Sequence, residues 1–198
     1  MLRTFALADI FTLANAGCGT VSIFLCLNYL HTKELNFLWL AFVLLPASLV
    51  FDAFDGWIAR KRQKWSSLGA DLDSLADVVS FGIAPAVLAF TLGMRGGWDV
   101  AVLVYFVCCG ISRLARYNVT SAEMSDETGK VKYYEGTPIP TSLVLVAVLG
   151  VACWTGDIEA QLWGGNYRFL GAGFHPLVLM YLVSGSAMIS STLRVPKP

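Results

Sequence analysis

Leu35 to Leu92 reads LNFLWLAFVLLPASLVFDAFDGWIARKRQKWSSLGADLDSLADVVSFGIAPAVLAFTL, and the way this stretch is read decides the fold. Most of it is apolar, yet Asp52 and Asp55 interrupt its first half and Asp73 and Asp77 its second. A helix that crosses the hydrocarbon core needs about 20 apolar residues, and the runs on either side of the acids approach that length. A carboxylate near the bilayer centre costs about 2.5 to 3.5 kcal/mol, so four of them cost on the order of 10 kcal/mol. Acids kept against such a penalty mark a functional centre whose charge something else must offset.

Outward from this stretch, the 198 residues are 56% hydrophobic and only 14% charged. That composition predicts an all-α integral membrane protein, read here as one domain over residues 1–198. Six transmembrane helices are expected: Thr12 to Leu30, Asn36 to Phe54, Ala76 to Thr91, Trp98 to Arg113, Pro140 to Trp154 and Pro176 to Leu193. They form a six-helix bundle over residues 12–193. Residues 1–11 hold too short an apolar run for a cleavable signal, and Leu2 to Phe11 reads either as a short interfacial helix with Asp9 turned toward water or as a frayed terminus.

Six crossings put both termini on one face, and the distribution of Lys and Arg tests that count. Arg3, Arg60, Lys61, Arg62, Lys64, Arg113, Arg116, Lys130, Lys132, Arg194 and Lys197 fall on the face of the termini; Lys33, Arg95 and Arg168 fall on the other. The bias predicts cytoplasmic ends. The formal net charge of +0 hides this polarity. It argues against a nucleic-acid partner and leaves a basic rim facing anionic headgroups.

Cys18, Cys26, Cys108, Cys109 and Cys153 are odd in number and lack the spacing of a zinc or disulfide framework, so they read as core or lipid-facing residues. No glycine-rich phosphate loop occurs, and Ser66 and Ser67 have no histidine nearby, so P-loop and hydrolase readings fail. His31 and His175 lie on the face away from the acids and are poor metal candidates.

On helices, Asp52 and Asp55 are three apart and Asp73 and Asp77 four apart, so each pair projects from one face. Joining the two faces pools the oxygens of four carboxylates, a donor set that suits a hard ion such as Mg²⁺ or Mn²⁺ far better than zinc or copper. Gly56 and Ala59 share the face of the first pair, where small residues either admit a flat ligand or allow close helix packing. Asp71 stands outside the pattern, facing water or orienting Arg60.

The full spacing is Asp52, two residues, Asp55-Gly56, two residues, Ala59-Arg60, eight residues, Gly69, three residues, Asp73, three residues, Asp77. It resembles, without a departure, the signature of the CDP-alcohol phosphotransferase family. The resemblance implies a six-helix membrane enzyme, a homodimer, that displaces CMP from a CDP-linked lipid with an alcohol. It also implies that Asp52, Asp55 and Asp73 are metal ligands, with Asp77 both near the metal and placed as general base. Gly56 and Ala59 are implied to line the cytidine pocket, with Arg60 facing the pyrophosphate and Gly69 in the same CDP-lipid site. Asn15, one turn into the first span, either touches the CDP moiety by the same resemblance or makes a helix-packing hydrogen bond.

Three further segments bear on the alcohol: Leu72 to Ala86 (LDSLADVVSFGIAPA), Cys109 to Thr120 (CGISRLARYNVT) and Lys132 to Ser142 (KYYEGTPIPTS). With Phe174-His175-Pro176 and Pro196-Lys197-Pro198, they resemble the phosphatidylserine synthases of that family, those of fungal type above all. The resemblance implies CDP-diacylglycerol and L-serine as substrates. The host membrane implied is the endoplasmic reticulum in a eukaryote, and the plasma membrane if the source is prokaryotic. Arg113 and Arg116, three apart at the end of the fourth span, can aim two guanidinium groups at one site, and such a fork pairs bidentately with the carboxylate that serine alone among these alcohols carries. Either arginine can instead snorkel to headgroups. Asn118 offers an amide beside them, and Glu135, in a loop stiffened by two prolines, either meets the serine ammonium or is solvated. Inositol phosphate, glycerol phosphate and archaeal ether-lipid substrates keep the chemistry and change the partner; a cation transporter would account for the acids but not for Gly56, Ala59, Arg60 and Gly69.

Overall fold

A computed structural model describes residues 7–62, 67–123, 133–190 and 192–196 of the chain. The helices are α1 (Leu7–Thr32), α2 (Leu35–Arg62), α3 (Ser67–Asp77), a π-helical turn (Val78–Ile83), α4 (Ala84–Leu92), α5 (Gly97–Glu123), α6 (Ser142–Thr155) and α7 (Leu179–Ile189). Short strands β1 (Tyr133–Glu135), β2 (Tyr167–Phe169), β3 (Ala172–Phe174) and β4 (Arg194–Pro196) form two antiparallel pairs, β1 with β4 and β2 with β3. Apolar runs become helices because a helix satisfies its own backbone groups, which lipid cannot do.

Among the described residues four helices are long and apolar enough to cross a membrane: Ala8–Thr32, Leu35–Ile58, Leu68–Leu92 and Gly97–Val119. The other two expected spans are shorter apolar helices, Ile139–Thr155 and Pro176–Ile189. The third span is the central one: most of it is buried, whereas the first, second and fourth leave most of their apolar lengths uncovered. Leu88, Ala89 and Leu92 at its lower end join Leu38, Leu45, Phe81, Leu149 and Tyr181 in the core. The Tyr181 hydroxyl donates to the Pro85 carbonyl at 2.9 Å, and its ring meets Phe106 edge-on at 5.1 Å.

Several expected limits change. Residues 2–6 of the expected interfacial helix lie outside the described residues, and from Leu7 onward the segment is an unbroken part of α1. Asp9, expected in water, is only 6% exposed. From Leu7 onward Asp9 is kept from water because α2 packs along the first turns of α1: Thr12, three residues after Asp9 and on its face, bonds Asp55 of α2 at 2.7 Å, while Phe11 lies 6.1 Å from Phe54 and 6.4 Å from Phe51. The third span starts well before Ala76, since a polar-looking run containing Asp71 and Asp73 is helical all the same. The last span stops early: Ser190 takes an extended backbone (φ −65°, ψ 127°), and the chain beyond it becomes β4.

The end of the bundle away from the acids is tied by two polar knots. The Asp99 carboxylate accepts the backbone N–H groups of Gly96 and His175 at 2.9 and 2.8 Å and lies 2.8 Å from His175 Nδ1. Glu159 pairs with Lys33, sits 3.6 Å from Arg95 and accepts the Tyr29 hydroxyl at 3.4 Å. Three inter-helix connections are thereby joined at one place. His175 is thus committed to Asp99, and His31 is exposed on the same side.

Candidate functional site

Three helices build the acidic nest. The last third of α2 carries Asp52 and Asp55, α3 carries Asp73 and Asp77, and α1 lies against both. One oxygen from each of Asp52, Asp55 and Asp73 lies within 4.8 Å of the others. Asp55 and Asp77 are buried, at 6% and 7% exposure, and Asp52 and Asp73 are half-buried. Like charges this close repel strongly in a medium of low dielectric, so the nest is stable only with a compensating cation or shared protons.

The donor set is all oxygen, and Asp73 Oδ1 is buried with no hydrogen-bond partner among the described residues. Three hard ligands with an unpartnered oxygen turned inward fit a divalent ion such as Mg²⁺ or Mn²⁺.

Asp77 stands apart from that trio. Its Oδ1 accepts a hydrogen bond from Asn15 Nδ2 at 3.2 Å, while Asp55 Oδ2 accepts one from the Thr12 hydroxyl at 2.7 Å. Thr12 and Asn15 are three apart and therefore share a face of α1, so one helix steadies one acid of each pair. Of the two expectations for Asn15, contact with a CDP moiety or a helix-packing hydrogen bond, the second is present: its amide joins α1 to Asp77 of α3. Thr12 enters the sequence reading only as the start of the first span; the signal for it is its three-residue spacing from Asn15 opposite two acid pairs.

Behind Asp77 the chain widens into the π-helical turn, a feature found often at functional sites. Ser80, fully buried within it, donates from Oγ to the Asn15 main-chain carbonyl at 2.8 Å. Gly19, one turn after Asn15, lets the two segments touch: a Cβ there would lie 2.5 Å from Ser80 Oγ and 2.7 Å from Ser80 Cα.

On the side facing α5, the Ser74 hydroxyl donates to Asn118 Oδ1 at 3.1 Å, which ties Asn118 to the helix of Asp73 and Asp77. Arg113 is buried at 9% exposure; Arg116 is exposed, its Nη1 3.5 Å from the Ile189 carbonyl at the end of α7. The two arginines thus occupy different surroundings. Gly56 and Gly69 lie on α2 and α3 in partly buried positions. Ala59 and Arg60 belong to α2 and Glu135 to β1 by backbone, and their side chains lie outside the described residues.

The loop of Glu135 is seated on the end of α7. Glu135 stands opposite Arg194 in the β1–β4 pair, Gly136 N donates to the Leu193 carbonyl at 2.8 Å, and Thr137 N donates to the Ala187 carbonyl at 3.2 Å. Ile139 then reaches between Gly110 of α5 and Gly82 of the π-helical turn.

Apolar helices that converge on an all-oxygen acid nest define a helical membrane protein with a candidate site for a hard divalent cation. The family is shown by comparison. Residues 5–184 match the model of the CDP-alcohol phosphatidyltransferase family, and the chain belongs to that family. It is 41% identical over 201 aligned positions, covering 100% of this chain and 73% of the relative, to a CDP-diacylglycerol--serine O-phosphatidyltransferase of Saccharomyces cerevisiae. A protein of the same name from Helicobacter pylori is 34% identical, covering 95% of this chain and 70% of its own. An archaetidylserine synthase of Methanothermobacter thermautotrophicus is 36% identical over 78% of this chain and 62% of its own.

Proposed function

We propose that this protein transfers the phosphatidyl group of CDP-diacylglycerol to the hydroxyl of L-serine, releasing CMP. The observation that carries the donor half is the nest itself: three carboxylates within 4.8 Å of one another, with a fourth held separately by Asn15. The acceptor half is supported by the names of the relatives that match across nearly the whole chain.

Phosphoryl-type displacement depends on alignment and on neutralising charge more than on covalent chemistry from the protein. Asp52, Asp55 and Asp73 would hold Mn²⁺ or Mg²⁺, which when bound neutralises the pyrophosphate and eases departure of CMP. Asp77 accepts the proton of the serine hydroxyl as the new oxygen–phosphorus bond forms and the bond to CMP breaks. Asn15 keeps that carboxylate turned toward the reacting centre. Gly56, Ala59 and Gly69 leave room for the nucleotide, and Arg60 faces its pyrophosphate. The buried Arg113 pairs with the serine carboxylate, Arg116 and Asn118 close the same side, and Glu135 meets the ammonium.

The same reading has both short helices crossing the membrane, for six spans with cytoplasmic ends, one domain over residues 1–198 and a homodimeric assembly. The positive bias of Lys and Arg supports the span count and the cytoplasmic ends.

CMP release by purified protein is measured with CDP-diacylglycerol and, in parallel, serine, inositol phosphate and glycerol phosphate. Release with serine alone, together with a phosphatidylserine product, is expected. Release with a different alcohol would overturn the acceptor, and ion flux across vesicles without CMP release would overturn the reaction. Similarity to an archaetidylserine synthase favours one variant of this reading, an ether-linked donor lipid, which the same assay reads when diacyl and dialkyl CDP-lipids are compared.

A further inference from the structure

We infer that Ser80 is a positioning residue for the transfer reaction, acting on Asp77 through Asn15; the inference rests on the proposed function. Asp77 and Ser80 are three residues apart at the entry to the π-helical turn, and both grip the same residue of α1. Asn15 gives its side-chain N–H to Asp77 Oδ1 at 3.2 Å and receives the Ser80 hydroxyl on its main-chain oxygen at 2.8 Å. These contacts close a ring: Asp77, the backbone to Ser80, the Asn15 carbonyl, and the Asn15 amide back to Asp77.

The ring leaves the Asn15 amide little freedom to turn or slide along α1. The main-chain carbonyl fixes where Asn15 stands, and the side chain then reaches Asp77 from a set point. Gly19 is what permits it, because any Cβ would strike the Ser80 backbone at 2.7 Å. Ser80 lies within the wider π-helical turn and faces α1 from there. A serine bonded to a carbonyl is common between membrane helices, so the ring must be told apart from ordinary packing.

Ser22 supplies the matched control. It too is fully buried and gives its hydroxyl to a carbonyl of another helix, that of Ala41 at 3.2 Å, but it touches none of the acids. The experiment compares CMP release by unaltered protein, Ser80→Ala, Asn15→Ala, the double variant, and Ser22→Ala. Ser80→Ala should lower kcat about tenfold with both KM values within about twofold, since small misplacements of a reacting group cost rate more than binding. On the Asn15→Ala background Ser80→Ala should cost nothing more, because residues acting through one another are not additive. Ser22→Ala should keep full kcat.

Multiplied losses in the double variant, an effect confined to KM, or an equal loss in Ser22→Ala would overturn the inference while leaving the function standing. Absence of CMP release by the unaltered protein would overturn both. Ser80→Cys, which keeps the volume and weakens the donor, gives the same comparison if the alanine variant does not accumulate in the membrane.

Discussion

Asp55 and Asp77 are each held by a side chain of α1, and the two bonds predict different failures. Asp77→Asn keeps the shape and removes the proposed proton acceptor, so kcat should fall by about 10²- to 10⁴-fold, the usual share of a general base, while KM for the CDP-lipid stays within a few fold. Thr12→Val removes the donor at 2.7 Å from Asp55 Oδ2. Loss of a partner behind a metal ligand costs about 10- to 100-fold in metal affinity, so the Mn²⁺ concentration giving half-maximal CMP release should rise by that factor with little change in the maximum. Arg113→Lys, which removes the guanidinium proposed to pair with the serine carboxylate at a buried position, should raise KM for serine about tenfold or more and leave that for CDP-lipid unchanged. At this scale the acids were fully legible, because carboxylates in an apolar run have few explanations. Thr12, Ser74 and Ser80 were not, because a hydroxyl in a membrane helix is unremarkable until its partner on another helix is known. Arg113 and Arg116 were read as equivalent from their spacing; the packing of α7 against α5 separates them.

Among the elements, α1 is the one whose role periodicity hides. It reads as a plain apolar span, yet it carries the donors for both acid pairs and the glycine that lets the π-helical turn approach. The apolar runs gave the first, second and fourth helices to within a few turns. The expected third span begins only at Ala76, although Asp73 is already read on a helix, and the helix in fact starts at Ser67; the last is expected too long, since the strand pairing of β1 with β4 draws the chain out of helix after Ile189. A strand pair between segments some 60 residues apart leaves no local pattern. That pair also gives an element-scale prediction. Gly136 sits at φ +75°, where a Cβ would lie 2.2 Å from the Met188 carbonyl oxygen. Gly136→Ala should therefore lower the thermal stability of the protein in detergent by about 1 to 3 kcal/mol, the cost of a strained non-glycine residue. A variant as stable as the parent would mean that the loop is not seated on α7.

At the scale of the whole molecule, the acid nest and the polar knots lie at opposite ends of the bundle. The hydrogen bond from Lys33, followed by the attraction of Lys33 and Arg95, holds the Glu159 carboxyl below its ordinary range. Its folded-state value is thus below the unfolded value of about 4.3, so its stabilisation is present above that pH and is lost as pH falls through the folded value. Thermal unfolding should show the parent more stable than Glu159→Gln at neutral pH, with the difference shrinking as pH falls below about 4.3 and vanishing once it passes the lowered folded value. Far from this knot, the nest should depend on its cation. CMP release from CDP-diacylglycerol and serine should stop when the purified protein is treated with excess chelator and return on adding Mn²⁺ or Mg²⁺ but not Ca²⁺ at equal concentration, because the larger ion prefers more ligands at longer distances. Undiminished release in the chelator would contradict a metal-centred transfer at Asp52, Asp55 and Asp73.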